Sequence, residues 1–263
     1  MLFVMMFKKF LVITVFFLTC LSSFSQNVKF IQATDVHMTK DNFKFLEQFI
    51  DEDINKKHSD IDFLVFSGDN INRPNEKDLD LFLGIIKKAK PPVYVIPGNH
   101  DLYKQNDMDN VVYMKKVKKE LGHYHSSKPN YIFEKKGIVF ITMNGVKEVI
   151  PGPNGYYRES ELKWLDKNLT KYKNKKVVII QHFPLVDTST KGHSLYKKDA
   201  YLEVLKKHSN VIAVLSGHYH YNYEGMQDGV YNIVTSKFGN NNNYKIIEID
   251  SKTGFIFTSL ISK

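Results

Sequence analysis

The chain has 263 residues and one cysteine, with 37 Lys and Arg against 28 Asp and Glu, which gives a formal net charge of +9. Because 43% of the residues are hydrophobic and 13% are aromatic, the chain can bury a large core, and this excludes a disordered protein. Only Arg73 and Arg158 are arginines, and the lysines are spread along the chain, so the charge does not predict specific nucleic-acid binding.

The first 25 residues have the pattern of a secretory signal peptide. Two lysines precede an apolar run over residues 10–21, and Ser23 and Ser25 supply small side chains before an expected cleavage site at Gln26. The apolar run is shorter than the about 20 residues that a membrane-spanning helix needs. The pattern therefore predicts a protein exported to the periplasm or secreted, with no transmembrane span in its mature form.

Two alternatives remain at this end of the chain. Cys20 would be the lipidated residue of a lipoprotein, but residues 17–19 fit that signal poorly, so this reading is less favoured. Translation from Met5 or Met6 would give a more ordinary leader than translation from Met1. Cleavage before Gln26 removes Cys20, so the mature chain would contain no disulfide and no thiol.

After the leader, short runs rich in Val, Ile and Phe alternate with segments of helical periodicity. This alternation, with connections of about 30 residues, predicts strand–helix–strand units. No Pro-, Gly- or Ser-rich linker divides the chain, so we predict one layered α/β domain over residues 26–263 with a β-rich C-terminal part. The predicted elements are, in chain order, strand 28–33, helix 41–57, strand 63–67, helix 77–89, strand 93–96, helix 107–121, hairpin 131–144, helix 159–172, strand 177–180, helix 197–208, and strands 211–215, 230–235, 244–249 and 255–260.

Polar residues cluster directly after five of these strands. In open α/β sheets, ligands and catalytic groups gather at the carboxyl ends of the strands. The spacing of 34 residues between positions 35 and 69, and of 30 between positions 69 and 99, each matches one strand–helix–strand unit. The clusters are Asp35-Val36-His37, Gly68-Asp69-Asn70, Gly98-Asn99-His100-Asp101, His182 and Gly217-His218-Tyr219-His220.

Carboxylate, imidazole and amide oxygen groups without thiolates suit Mn, Fe(II) or Zn. The ordered set of clusters resembles the calcineurin-like metallophosphoesterases from residue 29 to about residue 236. Asp-x-His together with Gly-Asn-His-Asp is more similar to the branch that includes cyclic-nucleotide and other phosphodiesterases. The purple acid phosphatase branch is disfavoured, because it would place a Tyr three residues after Asp69, where this chain has Asn72.

The resemblance implies a single-domain α/β sandwich of the metallophosphoesterase type that binds two divalent ions. Two ions about 3.5–4 Å apart can clamp a phosphoryl group and hold a bridging hydroxide for in-line attack. By resemblance, Asp69 bridges the ions, one ion takes Asp35, His37 and His220, and the other takes Asn99, His182 and His218.

The resemblance also assigns a role to His100, as the proton donor or charge stabiliser at the leaving oxygen. Asp101 is then expected to orient the His100 imidazole and to favour its charged form. His193 lies in the loop that follows the strand of His182, so it is a candidate for contact with substrate. A histidine such as His182, considered alone beside Phe183, would more often serve packing than metal binding.

The leading hypothesis is an exported metal-dependent phosphoesterase that acts on a small phosphate ester, with a phosphodiester favoured. One alternative is a phosphomonoesterase that scavenges phosphate outside the cytoplasm. Another is a catalytically inactive scaffold, which would be marked by missing ligands, and here none is missing. The sequence predicts no particular oligomeric state.

The leader gives a direct test of export. We expect the intact mass of the exported protein to show loss of 25 residues and a new N-terminus at Gln26, because the leader is too short to stay in the bilayer. The same measurement on protein made without export machinery provides the full-length control. A mature chain that begins at a diacylated Cys20 would contradict this prediction and place the protein on a membrane surface.

Overall fold

The computed structural model describes residues 27–122, 127–187, 193–239 and 242–262. The predicted leader with Cys20, and residues 188–192 of the loop before His193, lie outside the described residues. The elements are β1 (Asn27–Ala33), α1 (Lys44–Gln48) with a π-helical continuation (Phe49–Lys57), β2 (Phe63–Ser67), α2 (Glu76–Ile86), β3 (Val93–Ile96), a 3-10 turn (Lys104–Asn106), α3 (Asn110–Leu121), β4 (Ile132–Lys135), β5 (Ile138–Met143), α4 (Glu159–Lys171), β6 (Val177–Gln181), α5 (Lys198–Leu205), β7 (Val211–Ser216), β8 (Tyr223–Gln227), β9 (Val230–Val234), β10 (Tyr244–Asp250) and β11 (Ile256–Ile261).

The described strands form two sheets. The first has the order β11-β10-β1-β2-β3, and the second has the order β4-β5-β6-β7-β9-β8. In the first sheet, the strands β1, β2 and β3 are parallel to one another, and in the second sheet so are β5, β6, β7 and β9. A helix connects each successive pair among β1, β2 and β3 and among β5, β6 and β7, as parallel neighbours require. Parallel strands end at the same edge of a sheet, so each sheet gathers its carboxyl-end loops on one side.

The two sheets pack face to face through aromatic side chains. Phe63 of β2 stacks on Phe30 of β1 with ring centroids 4.5 Å apart, and its edge meets Phe140 of β5 at 5.0 Å. Side chains alternate along a strand, so Phe66 points the other way and contacts Phe82 of α2 at 5.2 Å. The first sheet is therefore covered by the second sheet on one face and by helices on the other, which explains why β2 is buried along its whole length.

The predicted α/β class is confirmed, with differences at the ends of elements. Helix α3 begins at Asn110 and not at residue 107, because the Asp109 side chain accepts a hydrogen bond from the Val112 amide at 2.9 Å and Asp107 adopts φ 56°. The sequence analysis missed the edge strand β8, where only every second residue is half-buried and the others are exposed. Within the described residues, no helix is long and apolar enough to span a membrane.

Candidate metal centre

Loops from both sheets meet at one edge of the molecule. In the first sheet, the loop after β1 lies along the loop after β2, and the Asp35 amide donates to the Gly68 carbonyl at 2.9 Å. In the second sheet, the Gly217 amide after β7 donates to the His182 carbonyl after β6 at 3.1 Å. These backbone bonds continue the pairing of the strands beyond their ends, so the polar side chains of the loops are held on a shared framework.

The Asp69 carboxylate lies at the centre of these loops and is almost fully buried. Its Oδ1 atom is 3.3 Å from His182 Nε2, and its Oδ2 atom is 3.7 Å from His37 Nε2. The His100 backbone amide donates to Oδ1 at 2.9 Å and fixes the orientation of the carboxylate. The two oxygens therefore face two separate groups of side chains, as the predicted bridging role requires.

On one side of Asp69 lie Asp35, His37 and His220. His220 Nε2 is 3.2 Å from Asp35 Oδ1 and 3.2 Å from His37 Nε2. The other oxygen of Asp35 accepts hydrogen bonds from the His218 amide and the Thr34 hydroxyl, each at 2.8 Å. Asp35 is therefore locked through Oδ2 and presents Oδ1 to the two imidazoles.

On the other side of Asp69 lie His182, Asn99 and His218. His182 donates from Nδ1 to the Ser67 carbonyl at 3.0 Å, and its Nε2 lies 3.2 Å from Asn99 Oδ1. A histidine fixed through one ring nitrogen in this way is typical of metal ligands, which present the second nitrogen to the ion. His218 Nε2 is buried and has no hydrogen-bond partner within the described part of the chain.

The spacing of these atoms fits divalent cations. Ligands bound to one ion at about 2.0–2.2 Å lie about 3–3.6 Å from one another, and the separations of 3.2 and 3.3 Å on both sides of Asp69 match this range. The two imidazole nitrogens of His37 and His220, 3.2 Å apart beside the buried Asp35 carboxylate, are also arranged as two ligands of one cation would be. Three groups of candidate ligands have their ligand atoms within 4.8 Å of one another, namely Asp35 with His37 and His220, Asp69 with His182 and His218, and His37 with Asp69 and His100.

Burial and charge divide the histidines into two kinds. Burial lowers the pKa of His37 to about 4 and the pKa of His218 to about 3, so both rings are neutral at pH 7 and keep a lone pair for a metal. Burial also disfavours charge on His182, but the adjacent Asp69 carboxylate raises the pKa of His182 to about 9. In turn, burial opposes the charge of Asp69, while His182 keeps the pKa of that carboxyl below its usual value.

The role expected for Asp101 is wrong. His100 donates from Nδ1 to the Asn72 carbonyl at 2.9 Å, so a backbone group and not Asp101 orients this imidazole. The fully buried Asp101 carboxylate accepts from the backbone amides of Gly98 at 2.7 Å and Ile71 at 2.9 Å. Burial and the nearby Asp69 charge raise the pKa of Asp101 to about 7, while these amides favour its ionised form. Because Asp101 accepts from one amide in the loop after β2 and from another in the loop after β3, it ties these two loops together.

The structure places His193 next to the centre, and its role stays a prediction. Its ring centroid is 5.5 Å from that of His218, and its Nδ1 is buried without a hydrogen-bond partner among the described residues. Sequence analysis missed Thr34 and the Asn72 carbonyl, although both lie next to recognised motifs. It also missed Lys237, which lies near His37 in space but far from the motifs in the sequence.

Comparisons with known proteins agree with this geometry. The family model described as "Calcineurin-like phosphoesterase" matches residues 28–222. The chain is 29% identical over 168 residues to the probable glycerophosphodiester phosphodiesterase GpdQ of Arcobacter nitrofigilis, and the aligned region covers 60% of this chain and 56% of that relative. It is 24% identical over 204 residues to the 3′,5′-cyclic adenosine monophosphate phosphodiesterase CpdA of Haemophilus influenzae, and the aligned region covers 73% of this chain and 70% of that relative. The chain thus spans little more than half the length of the first of these relatives.

A solved structure shows the same fold. A dimetal phosphatase from Danio rerio superposes with a TM-score of 0.66 and 15% sequence identity, over 90% of this chain and 99% of its own. At this identity the similarity concerns the fold and carries no conclusion about the substrate.

The placement of Asp69 and His100 predicts different effects on metal content. Asp69→Ala should lose both ions, because one carboxylate faces both groups of ligands. His100→Ala should retain them, because its Nδ1 is tied to the Asn72 carbonyl and we assign its Nε2 to a reacting oxygen. Metal per chain, measured by mass spectrometry after reconstitution and desalting, distinguishes the two. Loss of metal from His100→Ala as complete as that from Asp69→Ala would make His100 a ligand and contradict its assignment.

Proposed function

The chain belongs to the calcineurin-like phosphoesterase family of metal-dependent phosphoric ester hydrolases, and we propose that it is an exported phosphodiesterase acting on a small phosphate diester. The proposal depends on one observation, the convergence of His, Asp and Asn side chains from four loops on the two sides of Asp69. The relatives named as phosphodiesterases support a diester, and the leader pattern supports export.

The candidate ligands define where a phosphoryl group would lie. Two divalent ions held by the groups on the two sides of Asp69 would polarise the phosphoryl oxygens and make hydroxide available at neutral pH. Hydrogen bonds from Thr34 and from the His218 amide hold Asp35, and the Ser67 carbonyl holds His182. These contacts keep the ligands in place before substrate binds, which is how a fixed site favours a transition state over a flexible substrate.

His100 is suited to act on the leaving group. Its Nδ1 is occupied by the Asn72 carbonyl, so Nε2 remains to donate a proton to the departing oxygen. Its side chain is exposed at the edge of the centre, where a substrate can reach it. A backbone carbonyl fixes the ring in one orientation without adding a second charged group.

Two model substrates test the class of ester. Metal-reconstituted mature protein should hydrolyse bis(4-nitrophenyl) phosphate at least as fast as 4-nitrophenyl phosphate, reflecting the phosphodiesterase-like motifs. The rates are followed as nitrophenolate release, with Asp69→Ala as the inactive control. Hydrolysis of the monoester alone would favour the phosphate-scavenging alternative, and bound metal without turnover of either ester would favour the inactive scaffold.

The assignment of His100 predicts a dependence on the leaving group. His100→Ala should lower kcat by about 10²–10⁴ for a diester with an alkyl leaving group, the usual worth of a positioned general acid. The loss should shrink when nitrophenolate leaves, because that group departs without protonation. His208→Ala is a matched control, since His208 pairs with Asp166 at 2.6 Å outside the centre. Equal losses of kcat for both leaving groups would contradict the proton-donor role.

A further inference from the structure

Two cavities lie on either side of the candidate metal centre. The first has a volume of about 530 Å³ and is lined by His37 and His220 together with Lys237. The second has a volume of about 470 Å³ and is lined by Asn99, His100, Tyr103, Arg73 and Pro151. Asn72 lines both, so the cavities flank one phosphoryl position and could receive the two arms of a diester.

The position of His100 distinguishes the two arms. His100 lines the second cavity and not the first, so the alcohol that takes its proton belongs in the second cavity. The first cavity then receives the alcohol that stays bonded to phosphorus. Its polar lining comes from Thr39, Asn42, Asn72 and Asn243, and the described residues that line it include no Asp or Glu.

Lys237 is the cationic group of the first cavity. It is half-buried, and no carboxylate within the described ranges forms an ion pair with it. Lys116 and Lys198, whose side chains are each 20% exposed, have carboxylate oxygens at 2.8 and 2.5 Å.

The backbone of Lys237 is fixed relative to the metal ligands. The amide of the next residue, Phe238, donates to the Thr34 carbonyl at 2.8 Å, directly before Asp35. The Asn243 side chain donates to the Lys237 carbonyl at 3.1 Å. The Phe238 ring is fully buried and packs on Phe49 at 4.8 Å, so this segment cannot shift without opening the core. Lys237 is thus positioned beside the centre, and no described residue supplies a carboxylate to balance its charge.

We propose that Lys237 is a specificity-determining residue that binds a second negatively charged group on the retained arm of the diester. This inference rests on the proposed function and names its substrate class, a phosphodiester with a carboxylate or phosphate on the alcohol that stays esterified. In the reaction, the bond from phosphorus to the leaving oxygen breaks and a bond to the oxygen of water forms. The leaving alcohol takes a proton through His100, and the product is a phosphate monoester that carries the second anionic group.

A matched pair of substrates tests whether Lys237 recognises a negative charge on the retained arm. We would compare 4-nitrophenyl 2-carboxyethyl phosphate with 4-nitrophenyl propyl phosphate, which share a leaving group and differ in the charge of the retained arm. Lys237→Ala should raise KM about tenfold or more for the carboxyethyl ester, as loss of a hydrogen bond to a charged group predicts. It should change kcat for the carboxyethyl ester, and KM and kcat for the propyl ester, by no more than about twofold. Lys237→Arg should keep most of the preference. Lys206→Ala is the control for net charge, because Lys206 is exposed and pairs with Glu203 at 2.9 Å.

Binding measured without turnover separates the Lys237 assignment from the proposed phosphodiesterase function. Calorimetry on metal-loaded protein would compare the binding of 3-phosphonopropionate with that of propylphosphonate. Only 3-phosphonopropionate should bind more weakly to Lys237→Ala than to the wild type. If neither ester is hydrolysed by the wild type but this difference in binding persists, the proposed function fails and the Lys237 site stands. The Lys237 assignment would be overturned if Lys237→Ala kept the wild-type preference for the charged over the neutral compound. It would also be overturned if the variant lost equal affinity for both compounds.

Discussion

The site depends on one constraint, the fixed position of the two sheets relative to each other, because its side chains come from both. Between the sheets lies the fully buried Gln32 of β1. Its amide nitrogen donates to the Ser67 hydroxyl at 2.9 Å and to the Ser216 carbonyl at 3.1 Å, and its oxygen accepts from Thr235 at 2.9 Å. Each buried polar group left unpaired costs about 1–3 kcal/mol. Sliding one sheet over the other would break several of the Gln32 hydrogen bonds at once, and each would add this cost. The aromatic contacts around Phe63 fix the distance between the sheets, and Gln32 fixes their register.

The loops that carry the ligands use backbone conformations that L-amino acids seldom adopt. Such residues cost about 1–3 kcal/mol each and persist where surrounding contacts determine them. Here the contacts are the hydrogen bonds between neighbouring loops, which replace the strand pairing that has just ended. The residues with positive φ at the centre are Asp35, His37, Asp69, His218 and His220, with angles between 47° and 68°. Five of the ten non-glycine residues with positive φ in the described part of the chain therefore lie where side chains are aimed at one point.

Glycines allow these loops to approach closely. A Cβ atom on Gly217 would lie 2.0 Å from the Thr34 hydroxyl, and one on Gly98 would lie 2.2 Å from Asp69 Oδ1. Neither contact is possible, so a larger residue would push the carboxylates away from the imidazoles. The resulting centre is held rigidly, whereas the two cavities beside it differ in charge and lining. Our proposal therefore assigns the selection of substrate to the cavities, since function on a shared fold is set by local residues.

The sequence by itself determined the α/β class and the buried strands, because apolar runs with polar residues at their ends are local signals, but it missed the edge strand β8. The candidate ligands followed from the polar clusters together with the family resemblance of their order. The sequence did not determine that Asp101 accepts from the Ile71 amide while His100 donates to the Asn72 carbonyl, because these contacts join loops that are far apart in the sequence. It could not find Lys237 as part of the site, because no local pattern marks a lysine whose neighbours come from distant loops. The tertiary structure alone decided which charges remain unmatched, since a charge is compensated by whatever folding brings within a few ångströms and not by its neighbours in the chain.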